Sequence, residues 1–360
     1  MTFEPLDFKS IKDENMTQLC ERLKALSESS LNHEEWPREQ LSLLEQANVY
    51  NWFIPHHLGG LEWAPAKIAS TYVHLASACL TTTFILSQRV AAIRRICTSD
   101  NAPFRDRLLS GILAGNTHAT VGISHLTTSR QHLRKPACHA IEKDGGYFVT
   151  GQIPWVTGAC GATHLVVGAE LPDERQILFA IATDTPGITI PQGFNLVALS
   201  GSQTGPVQFQ NVFINASLLL TNPAKQVLTA AGLTASGRTQ TSALALGLAT
   251  SAVNFIEQES RHRPDLLDTA EALKKQRIGL EDRLLKLASG IAICTNEELR
   301  TEMNSFVLRT TQASMAAAKG AGFVKGHSAG RWCCEALFFL VWSCPQSVIH
   351  ANLCELVGIE

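Results

Sequence analysis

The chain has 360 residues, 45% of them apolar and 17% charged, enough for two or three domains around a substantial core. A formal charge of −2 with no block of lysines or arginines excludes a nucleic-acid or anionic-membrane footprint. The N-terminus MTFEPLDFKSIKDEN carries acids and no apolar signal core, and no apolar run reaches membrane-spanning length, so a cytoplasmic protein without nucleic-acid or membrane partners is expected.

From about residue 9 to 115 apolar residues recur at three- and four-residue spacing, in IKDENMTQLCERLKAL, REQLSLLEQANVY, PAKIASTYVHLASACL and TTFILSQRVAAIRRI, which predicts helices punctuated by Pro55 and Gly59-Gly60. The last two are apolar round much of their circumference and are expected to be buried against a later part of the chain. From about Thr117 the period changes. Short runs rich in β-branched and aromatic residues (HATVGI, KPACHAI, GYFVTG, THLVVGA, QILFAIA, ITIPQ, PVQFQNVFI) predict a compact β-domain. After Pro223 long helical patterns return in KQVLTAAGL, the alanine-rich segment from Gly237 to Ser260, EALKKQRIGLEDRLLKLASGIAIC and ELRTEMNSFVLRTTQASMAAAK, which predict an antiparallel four-helix bundle. Small residues from Ser242 to Ala252 allow close helix approach. WCCEALFFLVW is too apolar for a solvated helix and predicts burial in the bundle or at a subunit contact.

Within the β-region, GGYFVTGQIPWVTGA reads as a strand over Tyr147–Thr150, a turn at Gly151 and a second strand carrying Trp155 and Thr157 two residues apart, hence on one face. An indole and a hydroxyl sharing a surface suit a flat heteroaromatic ligand, while a hairpin with a core tryptophan is the competing account of this stretch. Ten scattered cysteines without a C-x-x-C pair read as reduced thiols, mostly buried. His56 and His57 lack thiols at ligand spacing, and no metal site is expected.

The order helical domain (1–116), β-domain (117–222) and C-terminal helical bundle (223–360), an α+β fold class, resembles the acyl-CoA dehydrogenase family over nearly the whole length. WFIPHHLGGLEW, HATVGISHLTTSRQHL, GGYFVTGQIPWVTGA, GRTQTSALALGLA with Arg238 and Gly247, and KGAGFVKGHSAGRWCCEALFFLVWSCPQ are similar to the family's motifs in the same order. The resemblance implies FAD between the β-domain and the bundle, its ring near Ile123, Ser124, Trp155 and Thr157, with Ser129 at a pyrophosphate oxygen and Arg238 in the catalytic region. It further implies that Arg263 reaches the FAD pyrophosphate of a neighbouring subunit in a homo-dimer or homo-tetramer. Ser129 as a solvated turn residue and Arg263 as a helix-end surface arginine are the competing accounts.

The family's general base is a glutamate that removes an α-proton from an acyl thioester. Its two positions fall on Ser343 and Gly237, and a serine hydroxyl without an activating partner is no such base. Glu335, eight residues before Ser343 and so at least ~10 Å away along a helix, reads as a surface or ion-pair residue, and His350 as part of the last helix. The family's phenylalanine after the pyrophosphate arginine has no counterpart in RPDLLD, and alanine stands near Ala316 in place of its glutamine, which weakens the adenine end of the site.

Three functions follow from this resemblance. The first is an FAD-dependent oxidoreductase acting on the CH–CH group of an acyl thioester such as an acyl-CoA, with an electron-transfer partner. The second is a two-component flavin monooxygenase supplied by a flavin reductase and using Ser124, His125 and Ser343. The third is a non-enzymatic scaffold binding an acyl-CoA or a partner protein.

Overall fold

The computed structural model describes residues 13–29, 34–126, 136–230 and 239–359. Helices α1 (Asp13–Ser29) and α2 (Arg38–Gln46) lead into two 3-10 turns at Val49–Phe53 and His56–Leu58. The paired glycines that follow have separate reasons. Gly59 closes the turn at φ +89, and a Cβ on Gly60 would lie 2.0 Å from the Ile54 carbonyl oxygen. Helix α3 (Pro65–Ala78) opens with proline, whose missing N–H costs nothing in a first turn. Only Cys79, extended at φ −157, separates it from α4 (Leu80–Cys97), after which α5 (Ala102–Leu113) is capped by the Asn101 side chain.

As expected from its sequence, α4 is buried round most of its surface. Its polar residues are satisfied locally: Thr83 Oγ1 donates to Cys79 O at 2.8 Å and Ser87 Oγ to Phe84 O at 2.6 Å. Buried Arg89 donates to Glu45 at 3.0 Å, the Tyr50 hydroxyl at 2.7 Å and Gly161 O at 3.3 Å, tying α4 to α2 and to the sheet region.

Eight strands form one sheet: β1 (Ala119–Gly122), β2 (Cys138–Lys143), β3 (Gly146–Val156), β4 (His164–Glu170), β5 (Gln176–Ala182), β6 (Ile188–Thr189), β7 (Gly205–Asn215) and β8 (Leu219–Ala224). Their order is β6-β7-β3-β2-β4-β5-β8, with β1 parallel to β4. The hairpin in this region joins β2 to β3 across Asp144 and Gly145, both at positive φ as a tight turn requires. Gly151, expected to turn the chain, instead lies inside the continuous strand β3. It stands at φ +144 where the pairing with β7 shifts register, and a Cβ would lie 2.4 Å from Ala137 O, so its glycine serves a bulge and a close approach. The strand β8 was not marked by any sequence pattern, because Asn222 and Pro223 disguise an edge strand.

A short helix α6 (Val227–Ala230) precedes the bundle of α7 (Gln240–Ser260), α8 (Leu267–Ala288), α9 (Asn296–Gly322), α10 (Ser328–Leu337) and α11 (Gln346–Val357). Thr295 and Glu298 form a reciprocal capping box at the start of α9. In α7 the absent side chain of Gly247 lets α3 approach: a Cβ would stand 2.6 Å from both Ala76 Cβ and Val73 O. One hydrophobic core therefore runs through the N-terminal helices and the bundle, and a second fills the sheet. The segment WCCEALFFLVW is split. Trp332, Ala336 and Phe339 are buried, but Leu337 and Val341 face outward, because α10 gives way to a 3-10 turn at Phe338–Leu340 and the helical stripe ends.

Candidate functional site beside α4

Trp155 near the end of β3 is 50% exposed and packs against Phe194 with ring centroids 5.0 Å apart. Thr157 lies just past the strand and is 5% exposed, so the two side chains do not share one exposed face. The register shift between Ile153 and Val156 interrupts the two-residue alternation on which that expectation rested. Thr157 Oγ1 is 2.9 Å from Thr204 Oγ1, which is 2.8 Å from Ser202 Oγ, while Thr157 O accepts from Thr120 Oγ1 at 2.7 Å. Each hydroxyl has one proton and two lone pairs, so this chain can be oriented to leave Thr157 a proton to donate outward. Gly158 follows at φ +65, where a Cβ would lie 2.8 Å from Trp36 and 3.7 Å from Ile85 of α4.

Ile123 and Ser124 stand at the end of β1, half-buried, where a 3-10 turn over Ser124–Leu126 carries His125 back onto the sheet. There His125 Nε2 lies 3.0 Å from Gly168 O. Ser129 and Arg238, and with them Gly237, lie outside the described residues.

Ser343 lies in the segment between α10 and α11, directly after Trp342. Trp342 stacks on Phe338 at 5.0 Å, and both rings meet Phe84 edge-on with centroids 4.9 Å away. In the second turn of α4, Phe84 meets the segment before Ser343 while its neighbour Ile85 lies near Gly158. Ser343 is exposed and held at φ +44, a left-handed conformation that favours glycine.

The segment is fixed by a buried polar network that sequence reasoning missed. Arg300, 5% exposed, donates to Trp342 O at 3.1 Å, Phe339 O at 3.4 Å and Asn304 Oδ1 at 2.8 Å. Asn304 in turn donates to Phe339 O at 3.0 Å and Asn352 Oδ1 at 2.9 Å. Burial lowers the Arg300 pKa to about 10, which leaves it charged at neutral pH. Burial also raises the neighbouring Cys344 thiol, against the pull of Arg300. The available signal was the four-residue spacing of Arg300 and Asn304 on an otherwise apolar helix face.

Glu335 is buried rather than at the surface. The apolar stripe of α10 carries it inward with Trp332 and Ala336, and burial raises its carboxyl to about 7 although Arg331 stands 3.7 Å away. His350 is exposed on α11, with Cys354 Sγ 3.8 Å from its Nε2. Arg263 is half-buried and committed within its own chain, donating to Ala317 O at 2.6 Å and pairing with Asp265 at 3.0 Å. Ala317 precedes the break in α9 at Lys319, so this arginine braces the glycine-rich turn.

A cavity of about 880 Å³ lies between α1, α3, α7 and α10; Gly326, His327, Ser328, Arg331 and Trp332 of the late motif line it, while Ile123, Ser124, Trp155, Thr157, Arg263 and Ser343 do not. All ten cysteines are free thiols, Cys160 and Cys334 exposed. Among the described residues no cluster of three or more His, Cys, Asp or Glu side chains is placed to hold a metal ion, and no helix is long and apolar enough to cross a membrane.

No family model matches the chain. Among characterised proteins, the benzylmalonyl-CoA dehydrogenase of Aromatoleum aromaticum is 24% identical over 50% of the chain and 48% of the relative. A probable acyl-CoA dehydrogenase, YngJ of Bacillus subtilis, is 31% identical over 41% of the chain and 40% of the relative. The matched segments thus span about half the length of these relatives or less. Among solved structures, butyryl-CoA dehydrogenase from Megasphaera elsdenii superposes with a TM-score of 0.79 over 99% of this chain and all of its own, at 16% identity. FMN-bound TdsC from Paenibacillus reaches 0.82 over 95% of this chain and 96% of its own, at 15% identity. The sequence matches are to acyl-CoA dehydrogenases over part of the chain, and the order of helices, sheet and bundle is the fold of butyryl-CoA dehydrogenase.

Proposed function

We propose that the chain is a flavin-dependent oxidoreductase, with FAD as its cofactor, that acts on the CH–CH group of an acyl thioester. The observation that carries the reading is the exposed indole of Trp155 two residues before Thr157, whose hydroxyl ends a hydrogen-bonded chain through Thr204 to Ser202. These groups fit a flavin. A half-exposed tryptophan offers an apolar face for a ring edge, and Thr157 has a proton available for a ring acceptor. Bound flavin supplies the hydride acceptor that no side chain can provide.

The chain's own residues then have separable roles. Trp155 packs against the ring, Thr157 donates to it, and the Ser124 segment borders it. Ser343 lines the substrate side as a hydroxyl, without the carboxylate that would take an α-proton. A positioned base is worth about 10²–10⁴-fold, so dehydrogenation is expected to be slow unless another group supplies that proton transfer. Arg238 is proposed for the substrate side on the resemblance alone, and Ser129 for the pyrophosphate. Arg263, already bonded to Ala317 and Asp265, contributes to the adenine end only if those bonds are exchanged.

The serine at position 343 favours a second reading, a flavin monooxygenase fed by a separate reductase, since oxygen chemistry needs no α-proton base. In support, the oxygenase subunit HsaA of a flavin-dependent monooxygenase from Rhodococcus jostii is 24% identical over 55% of the chain and 48% of the relative. A homo-dimer or homo-tetramer is proposed for either activity, supported by the outward-facing Leu353, Leu356 and Val357 on α11.

Loading the purified protein with FAD, removing the unbound fraction and recording the visible spectrum tests the shared core of both readings. A retained flavin with a shifted spectrum, and at least tenfold weaker retention in Trp155→Ala, is expected. A colourless wild-type protein refutes both. Bleaching by an acyl-CoA without oxygen then selects the dehydrogenase, and substrate oxygenation with a flavin reductase selects the monooxygenase.

A further inference from the structure

We propose that the cavity between α1, α3, α7 and α10 is a second ligand site of this chain, suited to a molecule that joins a planar aromatic ring to an anionic group. Its volume of about 880 Å³ is that of a site for a drug- or nucleotide-sized molecule, and none of the described residues proposed above for the flavin line it. Each helix turns one stripe toward it: Lys67, Ser70, Thr71 and His74 on α3, and Ser251, Asn254, Phe255 and Gln258 on α7, at three- and four-residue spacing. A stripe that faces other helices is ordinarily apolar, and these are mostly polar. Where α3 and α7 touch, the polar groups are satisfied, since Ser251 Oγ donates to Ser77 O at 2.6 Å and Ser77 Oγ to His74 O at 2.7 Å. Along the cavity they are not. The side chains of Ser70, Thr71, His74, Asn254 and Gln258 make no hydrogen bond among the described residues, although Thr71 is only 4% exposed. Leaving such groups without partners is costly, so a ligand that pairs with them gains affinity.

Part of the lining is aromatic. The Phe255 ring meets Trp332 with centroids 6.0 Å apart and His327 at 5.9 Å, both edge-on. His327 is held at the start of α10, where its Nδ1 accepts from Ala329 N at 3.1 Å, so the neutral ring carries its proton on Nε2 as a donor. Charge comes from three elements: Lys24 of α1, Lys67 of α3 and Arg331 of α10 line the cavity against Glu21 and Glu28 of α1. Lys24 lies 3.8 Å from Glu28, whereas the Lys67 ammonium stands 3.6 Å above the Trp63 ring, a contact that leaves its charge uncancelled. Arg331 faces Glu335 at 3.7 Å, but burial raises that carboxyl to about 7, so near neutrality it supplies only part of a counter-charge. The aromatic side chains take a ring, the amides and hydroxyls pair with its polar substituents, and the surplus positive charge selects an anion.

The test titrates anilinonaphthalene sulfonate, a fluorescent aromatic anion, into the protein with and without FAD, and then displaces it with AMP or with naphthoate. Wild type, Phe255→Ala and Lys67→Glu are compared with Leu356→Ser, a control on the exposed face of α11. Circular dichroism is recorded for each, and Phe255→Leu replaces Phe255→Ala if the latter does not fold. The expected result is saturable binding of one probe per chain, displaced by at least one competitor, weakened about tenfold in each cavity variant and unchanged in the control. Displacement by AMP alone assigns a nucleoside phosphate, by naphthoate alone an aromatic carboxylate, and by both the shared chemistry of ring and anion. Probe binding that does not saturate, that neither competitor displaces, or that is unchanged in either folded cavity variant overturns the proposal. Binding is expected with and without FAD, and its loss on FAD loading overturns a second site. A chain that takes up no flavin but binds the probe as described refutes the flavin reading and leaves this site standing.

Discussion

Glu335 gives the clearest consequence at the scale of a single residue. Its carboxyl is raised from 4.5 to about 7, chiefly by burial, so between those values the folded protein holds a proton that the unfolded chain has released. Stability is therefore expected to fall as pH rises from about 4.5 to about 7, with the loss fully present above that, on the order of 3 kcal/mol. Urea unfolding of wild type and Glu335→Gln at intervals between pH 5 and 8 checks this. The variant's midpoint should stay nearly level where the wild type's declines, and parallel curves would contradict the assignment. Legibility differs among such residues. Gly59 and Gly60 could be picked out as punctuation because turn chemistry is local, whereas the burial of Glu335 depends on which way α10 faces.

At the scale of elements, the contact between α3 and α7 depends on one missing side chain. A Cβ at Gly247 meets backbone as well as side chain, and neither can yield without separating the helices, so Gly247→Ala is expected to cost about 1–3 kcal/mol. Gly279 on α8 has nothing within 4 Å of a Cβ and lies in an ordinary helical interior, so Gly279→Ala should stabilise by roughly 0.5–1 kcal/mol. Thermal melts of the two variants should move in opposite directions. The same scale explains why β3 was read as two strands. A glycine between two β-rich runs signals a turn or a bulge equally well, and only pairing along the full length of β7 distinguishes them.

Across the whole molecule, the core that joins Leu19, Tyr72 and Leu75 with Leu244, Phe306 and Phe339 makes the N-terminal helices and the bundle one cooperative body. Calorimetry is expected to show these two helical regions unfolding in a single transition. A bundle that melts apart from the N-terminal helices would show that the shared core is too weak to couple them. The proposed site would share this dependence, because its residues are drawn from the sheet region and from the segment after α10.

What the sequence by itself determined was the order of helices, sheet and bundle. This follows from hydrophobic period and from motifs whose residues are neighbours in the chain. The tertiary structure alone decided that Thr157 is buried against Thr204, that Arg263 is bonded within its own chain, and that Arg300 clamps the Ser343 segment. It also decided that Phe84 packs edge-on against Phe338 and Trp342, more than 250 residues later in the chain. The physical reason is that a hydrogen bond or a ring contact is fixed by how whole elements pack, while a residue's spacing along the chain reports only the face of its own helix or strand.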